Sequence, residues 1–167
     1  LAEESGAHSS EGEYRWVIDP LDGTTNFAHR IPQFSVLMAL QRRGTEGVFE
    51  TVMGVTYDPM ADELFEAVKG QGATLNGRPM SVSTTQRLID SVLVTGFGYN
   101  RLFSERDNHR EFCRMNLLTQ GVRRFGSAGL DLAWVACGRF DGFWEYDLNP
   151  WDQAGGQLMV VEAGGVL

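Results

Sequence analysis

The segment Asp19-Pro20-Leu21-Asp22-Gly23-Thr24 constrains this chain more than any other. It follows Tyr14-Arg15-Trp16-Val17-Ile18, an aromatic and β-branched run that predicts a strand. Asp19 then falls at a strand end and Asp22 in the turn after it, with Pro20 fixing its own φ and stiffening that turn. Two carboxylates held this way repel each other unless a cation lies between them. Oxygen donors suit a hard divalent ion such as Mg²⁺. The turn runs on into Gly23-Thr24-Thr25-Asn26, the expected opening of a short helix, whose backbone N–H groups offer an anion site. Cation and anion sites side by side fit a phosphate ester. An acidic turn with an Asp cap is the purely structural alternative.

Two related motifs are excluded by spacing. Counted from Asp19, an EF-hand loop would need ligands where Leu21 and Gly23 stand and a Glu where Arg30 stands. A D-x-D-x-T phosphatase places nucleophile and acid two apart, whereas Asp19 and Asp22 are three apart. A serine hydrolase is excluded as well, because there is no G-x-S-x-G.

A second segment, Asn149-Pro150-Trp151-Asp152-Gln153-Ala154-Gly155-Gly156, reads as a helix start with Pro in the first turn. Asp152 then sits where an acid favours the helix dipole. Gly155 and Gly156 each cost a helix about 1 kcal/mol relative to Ala. That cost points to another backbone lying close by.

The remaining elements predict a β-rich half, 1–88, and an α/β half, 89–167, with the site between them. In the first, strands are expected over 34–40, 47–57 and 63–68, with a hairpin turn over 57–62 and tight turns at Gly70, Gly72 and Asn76-Gly77. In the second, strands at 91–95, 121–125 and 140–146 alternate with helices at 104–118, 127–137 and 149–163. The fold class is a layered α/β protein. The sequence starts with Leu1 and stops at Gly164-Gly165-Val166-Leu167 as a strand is about to begin, so it reads as an internal fragment of a longer chain.

Composition narrows the function classes. The 167 residues are 43% hydrophobic and 22% charged, which excludes a disordered tail. No apolar run approaches the roughly 20 residues of a membrane span. With 14 basic and 22 acidic residues the net charge is −8, which disfavours nucleic acid as a partner. Cys113 and Cys137 form no C-x-x-C and read as two small buried hydrophobes in a reducing cytoplasm. His8, His29 and His109 are scattered and read as surface or structural residues. Glu105-Arg106-Asp107 and Arg110-Glu111 read as a solvated helix face, and Trp134, Trp144 and Trp151 as core.

Taken together, Trp16-Val17-Ile18-Asp19-Pro20-Leu21-Asp22-Gly23-Thr24-Thr25-Asn26-Phe27 and Trp151-Asp152-Gln153-Ala154-Gly155-Gly156, with Glu162-Ala163-Gly164-Gly165 after them, resemble the inositol monophosphatase family of Mg²⁺-dependent phosphatases. Glu3-Glu4-Ser5 resembles its upstream acidic element, Arg123-Arg124-Phe125-Gly126-Ser127-Ala128 its substrate loop, and Leu93-Val94-Thr95-Gly96-Phe97 its bacterial branch.

The resemblance implies an α-β-α-β-α sandwich, truncated here at both ends, and a phosphomonoesterase acting on inositol monophosphate or a related small polyol or sugar phosphate. It implies two or three Mg²⁺ ions held by Glu3, Asp19, the Leu21 carbonyl, Asp22 and Asp152. Glu3 would also hold the attacking water, with Glu4 behind it. Thr24 would help deprotonate that water, relaying the proton to an acid upstream of Leu1. Leu21, Asp22, Gly23, Thr24 and Asp152 would border the substrate's phosphate, while Arg123, Gly126, Ser127, Ala128 and Glu145 would face its alcohol. Lithium sensitivity, a cytoplasmic location and a homodimeric parent are implied too. Histidinol-phosphate, fructose-1,6-bisphosphate and nucleotide 3′-phosphate phosphatases share the same core, and a non-catalytic regulatory protein on this fold is the alternative from another class.

Overall fold

The structure, a computed structural model, describes residues 1–4, 12–45, 47–99, 102–104 and 106–167. Ser5, His8 and Glu105 lie outside the described residues.

Six antiparallel strands form a meander in sequence order: β1 (Tyr14–Asp22), β2 (Ser35–Arg43), β3 (Phe49–Asp58), β4 (Glu63–Val68), β5 (Gly72–Leu75) and β6 (Arg78–Pro79). Their alternation turns Val17, Leu37, Ala39, Phe65 and Ala67 to one buried face, as a period of two requires. Tyr14 and Trp16, on β1, are 48% and 42% exposed. Asn76 and Gly77 both take positive φ, 48° and 73°, as a tight two-residue hairpin needs, so the stretch expected only as turns is a β5–β6 hairpin.

The second sheet is parallel, ordered β8 (Gly121–Arg123), β7 (Val92–Thr95), β9 (Gly142–Trp144). Between the sheets lies α3 (Ala128–Ala136), which touches β2 and β3 on one side and β7 and β9 on the other. Every one of its residues is buried. Beside it, α4 (Pro150–Glu162) packs along β1 to β5. The result is the expected α/β sandwich, with Phe65, Val94, Leu130 and Met159 fully buried where sheets and helices meet. No helix among the described residues is long and apolar enough to cross a membrane.

The glycine expectation for α4 is met in detail. A β-carbon on Gly54 of β3 would fall 2.6 Å from the Gly155 carbonyl oxygen, and one on Gly156 would fall 2.6 Å from Leu132 Cβ of α3. Three glycines thus let α4 lie in backbone contact with the sheet and its neighbouring helix.

Three local readings need correction. The helix expected from Ser104 begins at His109, as α2 (His109–Leu118), because Asn108 holds a left-handed φ of 68° and Asp107 Oδ1 accepts the His109 N–H at 3.0 Å. Cys113 is exposed on α2 and Cys137 only half-buried, so the pair are not both core hydrophobes. The Asp19–Asp22 segment is not a turn after the strand but the end of β1, interrupted by a bulge.

Candidate metal and phosphate site

That bulge explains how the two aspartates come to act together. Asp19 pairs with Leu37 and Asp22 with Ser35, so one extra residue is accommodated on β1. In a regular strand residues three apart point to opposite faces; one bulged residue returns them to the same face. Pro20 lies within the bulge, where a residue without an N–H costs the ladder nothing. The Leu21 N–H folds back onto Asp19 Oδ1 at 2.9 Å. Both aspartates are buried and line one cleft.

Asp22 is held by three donors on a single oxygen. Its Oδ2 accepts the Ser127 hydroxyl at 2.6 Å, the Gly129 N–H at 2.8 Å and the Ser35 hydroxyl at 3.2 Å. Ser35 and Ser127 are themselves 3.2 Å apart and fully buried. The start of α3 therefore grips the end of β1 through this carboxylate.

Asp152 arrives on α4. It completes a capping box, accepting the Asn149 N–H on Oδ2 at 2.7 Å, so the helix-start reading of this acid is correct. Glu3 arrives beside β1: its N–H donates to the Ile18 carbonyl at 3.2 Å, within a short parallel bridge of Ala2 to Ile18. Gly23, at φ 91°, caps α1 (Thr24–Ala28), and the Thr24 hydroxyl donates to the Leu21 carbonyl at 3.1 Å.

Glu3, Asp19, Leu21, Asp22, Gly23, Thr24, Gly126, Ala128, Glu145 and Asp152 all line the same cleft. Glu4 does not line it. Ser127 lies behind the cleft as a buried donor to Asp22 and does not face it. Arg123 is turned away, its guanidinium folded back toward Gly121 and the Val122 carbonyl. Its neighbour Arg124 lines the cleft instead, because adjacent residues leaving a strand point to opposite sides.

Besides Arg124, sequence reasoning missed five contributors. Asn26 donates to the Gln33 carbonyl at 2.8 Å and the Phe125 carbonyl at 2.7 Å, tying α1 to the 124–128 loop. Ser35 supports Asp22, and Gly96 and Phe97 form part of the cleft wall with Tyr146. Asn26, Gly96 and Phe97 lay inside quoted segments, whereas Ser35 and Tyr146 carry no local signal.

The electrostatics are those of a site short of positive charge. Burial pushes Asp19 up to about 8, with repulsion from Asp22 and Glu3 adding to it against the pull of the Leu21 N–H. Burial lifts Asp22 despite its three donors. Glu145 rises to about 7 and Asp152 to about 6, each through burial first and then the charge of Asp22. No ion pair among the described residues joins a basic side chain to any of these acids. Nor do three of them close into a ready-made metal cage among the described residues; they surround a shared space. An all-oxygen donor set with excess negative charge fits a hard divalent cation, which would relieve the repulsion.

A family profile described as "Inositol monophosphatase family" matches residues 1–167. A protein of Synechocystis sp. named "Inositol-1-monophosphatase" is 52% identical over 168 residues, which covers 100% of this chain and 57% of that one. The solved structure of inositol monophosphatase from Anabaena (Nostoc) sp. PCC 7120 superposes with a TM-score of 0.91 at 53% identity, over 98% of this chain and 64% of its own. A Salmonella typhimurium protein named "Nus factor SuhB" is 45% identical over 168 residues, 100% of this chain and 61% of that one. The chain spans less than two thirds of the length of each of these relatives.

Proposed function

The chain belongs to the inositol monophosphatase family, and we propose that it carries the metal and phosphate site of an enzyme that hydrolyses inositol monophosphate, or a related small polyol or sugar phosphate, to alcohol and phosphate. The observation behind this reading is the cleft in which Glu3, Asp19, Asp22 and Asp152 meet the Gly23–Thr24 start of α1.

Two or three Mg²⁺ ions would be held by Glu3, Asp19, the Leu21 carbonyl, Asp22 and Asp152. Bound there, Mg²⁺ supplies a water acidified toward neutral pH and charge neutralisation for the leaving oxygen. The chain's own residues do the rest. Gly23 and Thr24 bind the phosphate through backbone N–H groups. Glu3 orients the attacking water. The Thr24 hydroxyl accepts that water's proton only as it passes its own to a carboxylate, which the family resemblance places upstream of Leu1, since a threonine cannot hold a second proton. Glu145 accepts a hydrogen bond from a hydroxyl of the alcohol, and Gly126, Ala128 and Arg124 shape the same side. A cytoplasmic setting, a homodimer and lithium sensitivity belong to this reading.

One observation favours a second reading. The relative named Nus factor SuhB is as fully covered by this chain as the phosphatases are. A regulatory protein that retains the cleft is therefore the runner-up.

Phosphate release by the intact protein, with and without Mg²⁺, decides between them. The panel is inositol 1-phosphate, fructose 1,6-bisphosphate, histidinol phosphate and a nucleotide 3′-phosphate. Mg²⁺-dependent release that favours inositol 1-phosphate is expected, and Thr24→Ala should slow it by about 10²- to 10⁴-fold. No release from any substrate would overturn the enzymatic reading.

A further inference from the structure

The Glu145 carboxylate lies flat against the backbone of Gly96. A β-carbon built on Gly96 would overlap the carboxylate carbon and both of its oxygens. Gly96 does not have a positive φ, so its backbone would accept alanine; what it lacks room for is the side chain. Both residues follow directly on a strand pair, because Thr95 of β7 lies opposite Trp144 of β9.

Those two strand ends are fastened by a buried knot. Asn108, 1% exposed, donates from Nδ2 to the Gly96 carbonyl at 2.6 Å and to Thr95 Oγ1 at 2.8 Å, and accepts the Trp144 indole N–H on Oδ1 at 2.5 Å. Thr95 Oγ1 in turn donates to the Trp144 carbonyl at 2.5 Å. A fully satisfied polar knot of this kind holds one arrangement against alternatives. None of these bonds reaches an acid of the metal and phosphate site.

We infer that Gly96 and Asn108 are positioning residues that set alcohol specificity: Gly96 provides the seat on which the Glu145 carboxylate rests, and Asn108 fixes that seat relative to the cleft. The inference rests on the proposed function, in which Glu145 faces the alcohol. With glycine at 96 the carboxylate stays against the wall and leaves room for a hydroxylated ring. With alanine there, the nearest atoms are all at the flexible end of Glu145, which moves into that room.

The test uses the intact protein with Mg²⁺ and two substrates, inositol 1-phosphate and phenyl phosphate, whose alcohol has no further hydroxyl. Gly96→Ala should lower kcat/KM for inositol 1-phosphate about tenfold, mainly through KM, and leave phenyl phosphate within about twofold. Glu145→Asp, one methylene shorter, should restore the ratio in the Gly96→Ala protein. Asn108→Asp keeps the acceptor for Trp144 but loses both donors, and should move the ratio the same way at an unchanged fold by circular dichroism. An equal loss on both substrates, an unmoved ratio, or a ratio that Glu145→Asp does not restore overturns the inference. A wild-type protein that hydrolyses neither of these nor any other substrate of the phosphate-release panel overturns the proposed function and this inference with it.

Discussion

The Ser127 hydroxyl donates to Asp22 Oδ2 at 2.6 Å, joining the start of α3 to the end of β1 across 105 residues of sequence. Ser127 thereby supports a carboxylate proposed to hold metal, where its motif alone placed it against the substrate. Groups that orient such ligands typically change metal affinity or activity by about 10- to 100-fold when removed. Ser127→Ala should therefore raise the Mg²⁺ concentration for half-maximal activity by about tenfold, with Gly129 and Ser35 keeping part of the grip. An unchanged Mg²⁺ requirement would show that the hydroxyl is dispensable.

The raised carboxyls predict an unusual pH dependence for the metal-free protein. Asp19, Glu145 and Asp152 bind protons more tightly folded than unfolded, so their neutral forms favour the fold. That contribution is complete below about pH 4 and is lost as pH rises through about 6 for Asp152, 7 for Glu145 and 8 for Asp19. Glu50, Glu63 and Glu162 have lowered values and finish titrating at more acidic pH, so they do not mask the effect. Melting temperature in chelator should fall from pH 5 to pH 8. Saturating Mg²⁺ should reduce the fall by stabilising the ionised forms of Asp19 and Asp152. A flat or rising profile in chelator would contradict the electrostatics described above.

Asp131 on α3 is fully buried, and neither carboxylate oxygen has a hydrogen-bond partner among the described residues. Burial, then the charges of Asp22 and Glu145, push its proton affinity well up. Its neutral form favours the fold below about pH 4, and that contribution is lost as pH rises toward its folded value. Asp131→Asn removes the ionisation at nearly constant shape. The variant should be as stable as wild type near pH 4 and more stable near pH 8, as measured by urea unfolding. Equal loss of stability at both values would assign Asp131 a partner that its ionised form requires.

Contact between α4 and the sheet predicts an asymmetry between two glycines. A β-carbon at Gly54 meets the Gly155 backbone at 2.6 Å, whereas one at Gly155 meets its nearest neighbours, Gly54 Cα and the Met38 carbonyl, at 3.3 Å. Gly54→Ala should cost about 1–3 kcal/mol in denaturant unfolding, and Gly155→Ala less. Because α4 carries Asp152, Gly54→Ala should also weaken Mg²⁺ binding. A larger cost at Gly155 would mean that α4 does not rest on β3 as described.

Much of this site was legible along the chain because its chemistry is carried by short segments. Asp19, Asp22, Gly23 and Thr24 stand within six residues, and Asp152 stands in a helix start that its neighbours Asn149 and Pro150 announce. The paired glycines after it also declared a close backbone approach, since their helical cost has to be offset by packing. These are local rules of spacing, capping and backbone freedom, so residue order alone expresses them.

What folding alone decided concerns direction and distance. Asp19 and Asp22 share a face only because β1 bulges between them, and a bulge is fixed by pairing with β2. Arg124 rather than Arg123 enters the cleft because β8 ends where it does, a one-residue choice that reverses every side chain beyond it. The Asn108 knot and the seat of Glu145 on Gly96 join residues from three separate segments, none of which marks the others. Sequence names the groups and their local conformation. Only the packing of β7, β9 and α2 fixes which of them touch, because hydrogen bonds and steric contacts between distant segments depend on where tertiary structure brings the backbones.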